Sequence, residues 1–299
     1  MRTHHRLLLV LGVAMLLPGG RAFAQAWVDE KNSAWTALEY SFTTSNDLIE
    51  QDGVRVEDEP VDTHLMTLRL GYSPIDRLGL ELAASYLTTK FGGEGAQFPS
   101  HGAYDDGDFH GTFQDLAFRA RYQLMEELFA LSPHVGVTVP LTDYEVYGWA
   151  NAGRHLKALL VGASAGKFFF RRLFVHAAYE FAVPEKFDDI DGFDQYSQLR
   201  SDLALAVGYF VLDQLELHGG VEFHWQHGGV DFFDLTDRDS PLFLNHDPVL
   251  NEDFVQAGGG LAWNATDELK IGLDARVFVN GRNTLERRTV TLGVTYDIN

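Results

Sequence analysis

The sequence predicts an all-β protein, an antiparallel up-and-down transmembrane β-barrel of about twelve strands. Apolar and polar residues alternate with a period of two along most of the chain, which is typical of strands. Most alternating segments have ten to thirteen residues. A strand tilted through a bilayer needs about nine to eleven residues, whereas strands of soluble sandwiches usually have about five or six. Short turns and long loops also alternate, as in outer-membrane barrels.

The second segment shows the alternation clearly. Met66, Leu68 and Leu70 share one face, and Thr67 and Arg69 share the other. Similar patterns recur to the end of the chain, and their even number fits bacterial single-chain barrels. The predicted strands, in order, are 34–44, 62–72, 78–90, 112–124, 128–140, 156–168, 172–183, 201–211, 214–226, 253–264, 268–280 and 287–298.

The connections predict which end of the barrel faces the periplasm. The short ones read SPIDR, MEE, FRR, LDQ and ATDE, and the long ones are 45–61, 91–111, 141–155, 184–200 and 227–252. Short turns are periplasmic in such barrels, so both termini are expected on that side. An exported soluble β-sandwich is the alternative, but it should have shorter strands and more even turns.

The N-terminus has the features of a secretory signal peptide. Arg2 and Arg6 precede an apolar run over 7–17, and Ala22-Phe23-Ala24 is an A-x-A cleavage site. The run is shorter than the roughly 20 residues of a membrane-spanning helix. We expect a signal peptide over 1–24 and a barrel over 25–299, located in the bacterial outer membrane and surrounded by its lipid.

Composition narrows the possible partners. The chain has 43 acidic and 23 basic residues, a net charge of -20, and such a protein repels nucleic-acid phosphates. It contains no cysteine, which excludes disulfides and thiolate ligands. Nucleic acid is therefore not expected as a partner.

The stretch LELHGGVEFHWQHGG, residues 215–229, places four polar groups on one strand face. Glu216, His218, Glu222 and His224 alternate with apolar residues that would face lipid. Residues two apart in a strand are separated by roughly 6.6–6.8 Å, too far for four ligands with bonds near 2 Å to share one ion. A polar lumen wall is the favoured interpretation, and a metal held by one neighbouring pair is the alternative.

Other strands contribute charged residues with the same inward parity. Because both signs occur, we expect ion pairs between neighbouring strands and a mixed-charge, partly plugged lumen. The predicted lumen-lining residues, in addition to those four, are Glu81, Arg119, Arg121, His134, Lys157, His176, Glu180, Lys270, Asp274 and Arg276.

Two other functional classes stay open at this point. Acidic loops 45–61 and 184–200 could bind a cation or a partner at the surface, although neither matches an EF-hand loop. A membrane-embedded hydrolase could use histidines near the outer rim, but the chain has no G-x-S-x-G or H-E-x-x-H motif. The rim candidates are His101, His110, His155, His227 and His246.

The chain resembles outer-membrane barrels of the phenol-degradation MetA-pathway type. Four stretches carry the resemblance: GTFQDLAFRARYQL, PHVGVTVPLTDYEVYGWANAGRHLKALLVGASAGKFF, HDPVLNEDFVQAGGGLAWNATDEL and FVNGRNTLERRTVTLGVTYDI. The resemblance implies a barrel that the outer-membrane assembly machinery inserts. It also implies that the barrel passes small solutes, with hydrophobic or aromatic compounds as candidates. Such barrels usually end in an aromatic residue, whereas this chain ends in Tyr296-Asp297-Ile298-Asn299. We expect a channel or transporter that performs no chemistry and needs no cofactor.

Overall fold

A computed structural model describes residues 26–92, 103–186, 198–231 and 249–298 of the chain. Consecutive strands pair antiparallel, and the last strand pairs with the first to close a barrel. The described residues contain no helix long and apolar enough to cross a membrane. The predicted signal peptide, residues 1–24, lies outside the described residues. The strands are β1 (Ala34–Ile49), β2 (Arg55–Ile75), β3 (Leu78–Phe91), β4 (His110–Tyr122), β5 (Ala130–Pro140), β6 (Ala158–Phe169), β7 (Leu173–Pro184), β8 (Leu199–Leu212), β9 (Leu215–His227), β10 (Asp253–Asn264), β11 (Leu269–Arg282) and β12 (Thr284–Ile298).

The predicted fold class is confirmed, and each predicted segment overlaps one observed strand. The prediction of a long loop over 45–61 is wrong. β1 continues to Ile49 and β2 begins at Arg55, so that only 50–54 forms the turn. These strand ends extend the hairpin with polar residues on both faces, as in the segment Ser45-Asn46-Asp47. The period-two contrast between faces, on which the prediction depends, is therefore lost there.

The two faces of the barrel wall differ in polarity. Leu68 and Leu217 are 46% exposed on the outer face, whereas their neighbours Arg69 and Glu216 are each 4% exposed. The buried groups point into the barrel, because side chains from strands that are not neighbours touch there. Arg119 of β4, for example, donates two hydrogen bonds to Glu180 of β7, across the intervening β5 and β6. The outer face is apolar, as a lipid-facing surface requires.

The connection between β5 and β6, residues 141–157, folds into the barrel instead of projecting from it. We call this segment the inner loop. Its Ala150 is fully buried against Val61 and Phe91, and its Tyr144 packs against Leu87. The inner loop thus narrows the interior at the end where the long connections lie.

Residues 26–33, before β1, occupy the opposite mouth. The Ser132 hydroxyl donates to the Ala26 carbonyl oxygen at 2.7 Å, and the Val28 N–H donates to Gln123 Oε1 at 2.9 Å. Trp27 lies over Gly166, where a Cβ atom would come within 2.2 Å of the indole ring. The interior is therefore covered at one end by the inner loop and at the other by this N-terminal segment.

Candidate functional site in the barrel interior

A layer of ion pairs crosses the interior at the level of β1 to β4. Arg69 Nε lies 3.2 Å from Glu39 Oε2, and Arg69 Nη1 lies 3.0 Å from Glu81 Oε1. Arg121 approaches the second oxygen of Glu81 at 3.7 Å. Because a charge buried without a partner is costly, this mutual pairing explains how these charged side chains share the interior.

The four polar residues on the inward face of β9, which we call the β9 row, are Glu216, His218, Glu222 and His224. The first two belong to a second group of interacting side chains. His218 lies between Glu216, at 3.1 Å from Nδ1, and Asp274, at 2.7 Å from Nε2. Lys270 Nζ is 3.3 Å from the other Glu216 oxygen. β10 separates β9 from β11, and its Gly260 leaves room for this contact, since a Cβ there would lie 2.7 Å from Asp274 Cγ.

The other half of the β9 row has different partners. Glu222 forms an ion pair with Arg276 of β11, again across a glycine, Gly258 of β10. His224 Nδ1 lies 2.6 Å from Asp202 Oδ1 on the other neighbouring strand, β8. The four residues of the row therefore do not converge. Among the described residues, no cluster of three or more His, Asp or Glu side chains could hold a metal ion.

The remaining predicted residues, with one exception, are also buried. Arg119 and His134 both contact Glu180, with His134 Nε2 at 3.2 Å from the carboxylate, and His176 is buried beside Trp27. Lys157 is the exception, and its predicted lumen position is wrong. It precedes β6, shares the parity of the exposed Leu159 and Val161, and pairs with Glu185 at 3.5 Å. Extending the alternation of β6 back by one residue gives position 157 the outward parity, so the inward assignment was a parity error.

The inner loop supplies a charged group that sequence periodicity missed. Arg154 Nη1 donates to Gln198 Oε1 at 3.1 Å and also contacts Gln226. Its Nη2 lies 3.8 Å from Glu252 Oε2. Burial lowers the pKa of Arg154 to about 10, against the opposing effect of Glu252, so the guanidinium keeps its charge at neutral pH. A loop residue has no strand parity, so its inward direction could not be predicted.

Tyr144 fixes the other side of the inner loop. Its hydroxyl donates to Asp115 Oδ1 at 2.7 Å and accepts from the His155 N–H at 3.1 Å. Burial raises the pKa of Tyr144, and the Asp115 carboxylate raises it further, which keeps the hydroxyl protonated as a donor. With Arg154 bonded on one side and Tyr144 on the other, the inner loop is attached to two distant parts of the wall.

A cavity of about 580 Å³ lies between the inner loop and the barrel wall. Its volume falls within the range of about 300–1,000 Å³ that is typical of small-molecule sites. Arg200, Arg276 and Arg287 line one part of it. Hydroxyl side chains line another part, namely those of Ser41, Thr43, Thr67, Ser85 and Thr289. They form cross-strand pairs at 2.7–2.9 Å: Thr43 with Thr289, Thr67 with Ser85, and Ser41 with Thr291, which does not itself line the cavity. We call the five lining residues the hydroxyl wall.

The rim histidines do not form a triad among the described residues. His110 Nε2 lies 2.7 Å from Asp106 Oδ1. His155 belongs to the inner loop, and its Nε2 lies 3.1 Å from the Thr142 carbonyl oxygen. His227 Nε2 is 2.6 Å from Ser201 Oγ, but Ser201 is buried, and no carboxylate of a described residue contacts His227. His101 and His246 lie outside the described residues, as does most of loop 184–200.

Similar architectures occur among solved outer-membrane barrels. An outer-membrane channel from Pseudomonas putida F1 superposes with a TM-score of 0.72 at 15% identity, over 95% of this chain and 100% of that one. This chain has the fold of an outer-membrane channel. The NanC porin, at 8% identity, covers 87% of this chain, and the β domain of the Bordetella autotransporter BrkA, at 10% identity, covers 90%. Each of these is itself covered completely, with a TM-score of 0.51.

No family model and no curated protein matches the sequence. The fold implied by the resemblance to phenol-degradation barrels is confirmed. At these identities the likeness concerns the fold, so the interior groups have to carry any argument about the solute.

Proposed function

We propose that this protein is an outer-membrane channel for small solutes. The observation that carries the proposal is the cavity of about 580 Å³ between the inner loop and the wall of a closed barrel. Its lining combines ion pairs and hydroxyl groups with apolar side chains such as Leu65 and Phe254, which suits a small solute with polar groups better than a lipid chain. Hydrophobic or aromatic compounds, which the resemblance to phenol-degradation barrels implies, are candidate solutes that the same experiments can compare.

The proposed path runs from the inner loop past the hydroxyl wall and the Arg69 ion-pair layer to the mouth beside Trp27. The sequence-predicted inward residues other than Lys157 would line this path or support its wall. Because most are engaged in ion pairs, the open path would be narrow, and passage would be selective rather than bulk diffusion.

The proposal includes an orientation and partners. Ala34 pairs with Ile298 and with Tyr72, which places both ends of the barrel chain near the short turn 76–77 between β2 and β3. Short turns are periplasmic in barrels of this class, so both termini would face the periplasm. The assembly machinery and outer-membrane lipid would be the partners, and transport would involve neither a cofactor nor chemistry.

Single-channel recording of the purified, refolded protein tests the function. We expect discrete conductance steps in planar bilayers, and swelling of liposomes in an iso-osmotic solution of a permeant solute. Absence of both from protein that is demonstrably folded would contradict the proposal. Turnover of lipid or peptide substrates, abolished by His227→Ala, would instead support the hydrolase alternative.

A further inference from the structure

Three of the arginines that line the cavity outnumber the carboxylates in direct contact with them, although Asp115 and Glu180 also line it. Arg287 Nη2 lies 2.5 Å from Glu252 Oε1, and Arg154 approaches the same carboxylate at 3.8 Å. Arg200 Nε reaches Asp202 at 3.7 Å, and Asp202 also holds His224. Among the described residues, two carboxylates thus lie within 4 Å of these three guanidinium groups. We call Arg154, Arg200 and Arg287 the arginine cluster.

Two other interior arginines, Arg119 and Arg69, have more complete partners. Arg119 is held by two hydrogen bonds to Glu180, at 2.9 and 3.2 Å, and Arg69 lies between two carboxylates. The arginine cluster has spare hydrogen-bond donors, because each guanidinium carries five N–H groups in a planar fork. A planar fork fits a carboxylate better than it fits chloride or a neutral group.

The hydroxyl wall lines the same cavity and carries no charge. Each hydroxyl can both donate and accept, so a pair such as Thr43 and Thr289 can exchange its mutual bond for bonds to a solute hydroxyl. A solute that satisfies both surfaces has an anionic end and a hydroxyl-bearing body.

We infer that the cavity binds a small hydroxylated carboxylate of the sugar-acid type. Its carboxylate contacts Arg200 and Arg287, and its hydroxyl groups replace the mutual bonds of the hydroxyl wall. The inference rests on the proposed function for the route by which a solute enters, but binding itself does not require an open pore.

Calorimetric titration of the detergent-solubilised full chain tests the site. The probes are gluconate, glucose, which has a similar body without the charge, and benzoate, which has the charge without hydroxyls. Gluconate should bind roughly tenfold or more tightly than either, the effect of one lost charge-assisted hydrogen bond. Equal binding of gluconate and glucose, or tighter binding of benzoate, would overturn the inference.

Adjacent arginines on β12 provide a matched pair of variants. Arg287 lines the cavity, whereas Arg288 is exposed and pairs with Glu286. Arg287→Gln should weaken gluconate binding roughly tenfold, and Arg288→Gln should leave it unchanged. If Arg287→Gln does not fold, as judged by heat-modifiable gel migration, Arg200→Gln gives the same test. Equal effects of the cavity and surface variants would contradict the site.

Two further variants separate the surfaces. Thr43→Val removes one hydroxyl at constant shape and should weaken gluconate but not benzoate. Glu252→Gln removes the carboxylate that Arg154 and Arg287 share, and should strengthen gluconate binding. Weaker gluconate binding to folded Glu252→Gln would overturn the role of the arginine cluster. A protein that binds gluconate but conducts no ions would refute the channel function and leave the site intact.

Discussion

Single glycines determine which interior charges meet. His218 reaches Asp274 across β10 because Gly260 presents no side chain between them. Strand parity predicted that these charges point inward, since apolar residues alternate with them. It could not predict that pairs would skip a strand, because that depends on the register and on what the intervening residue lacks. The run Gly258-Gly259-Gly260 was the available signal in the sequence.

Replacing Gly260 by alanine should therefore destabilise the barrel. The added Cβ would lie 2.7 Å from Asp274 Cγ and 2.3 Å from the Leu273 carbonyl oxygen, so the His218 contact must shift. Overpacking of this kind costs about 1–3 kcal/mol. Gly272→Ala is the matched control, because its nearest neighbour is 3.9 Å away. Denaturant unfolding followed by tryptophan fluorescence measures the difference, and equal stability of the two variants would contradict the account.

Trp27 offers a second test at the residue scale. Its ring lies 5.2 Å from Phe168 and covers Gly166 at the mouth of the barrel. Trp27→Ala should remove this obstruction and raise single-channel conductance. Trp263→Ala, which removes an indole that is 49% exposed on the outer face, should leave conductance unchanged. An increase in the second variant alone would show that the N-terminal segment does not restrict the path.

At the scale of strands, the sequence predicted most of what the structure contains. Leu68 faces lipid and Arg69 faces the polar interior. Because lipid-facing and interior-facing positions alternate along each strand, the sequence shows a period of two. The inner loop was predicted only as a loop over 141–155. Its inward course depends on long-range contacts of Tyr144 and Arg154, which leave no periodic pattern in the sequence.

Two adjacent small residues of β3 test the assignment of faces. Ala84 pairs with the outward Leu68, whereas Ser85 lines the cavity and bonds Thr67. Ala84→Arg should impair insertion, because an arginine at the bilayer midplane costs about 2–4 kcal/mol. Ser85→Arg should insert and alter ion selectivity. Folding into liposomes, followed by gel migration, compares them, and equal damage would argue against a lipid-facing outer wall.

The inner loop can be tested as an element. Replacing 145–152 by a short glycine-serine turn should enlarge the conductance severalfold, because the packing of Ala150 against Val61 and Phe91 is lost. The same replacement of the turn 50–54, which stands outside the cavity, is the control. Unchanged conductance in the first variant would mean that the inner loop does not form the constriction.

At the scale of the whole molecule, the two ends of the barrel differ in their connections and in their charge. The net charge is -20, and the segments 45–61 and 184–200 are strongly acidic. Part of this acidic charge is paired in the hairpin of β1 and β2, where Arg55 contacts both Asp47 and Glu286. The opposite end carries the short turns, the N-terminal segment and the end of β12. Because short turns are periplasmic in barrels of this class, the end that carries the acidic segments is predicted to face the cell exterior.

Cysteine labelling of intact cells tests this orientation without background, because the chain contains no cysteine. Asp52→Cys lies in the turn between β1 and β2, and Asp76→Cys lies in the turn between β2 and β3, at the opposite end. A membrane-impermeant maleimide should label the first in intact cells and the second only after the outer membrane is opened. Both sites are exposed turn positions on one strand pair, so a difference in labelling reports sidedness rather than folding. Labelling of Asp76→Cys alone in intact cells would show that the barrel has the opposite orientation. The end with the inner loop and the proposed gluconate site would then face the periplasm.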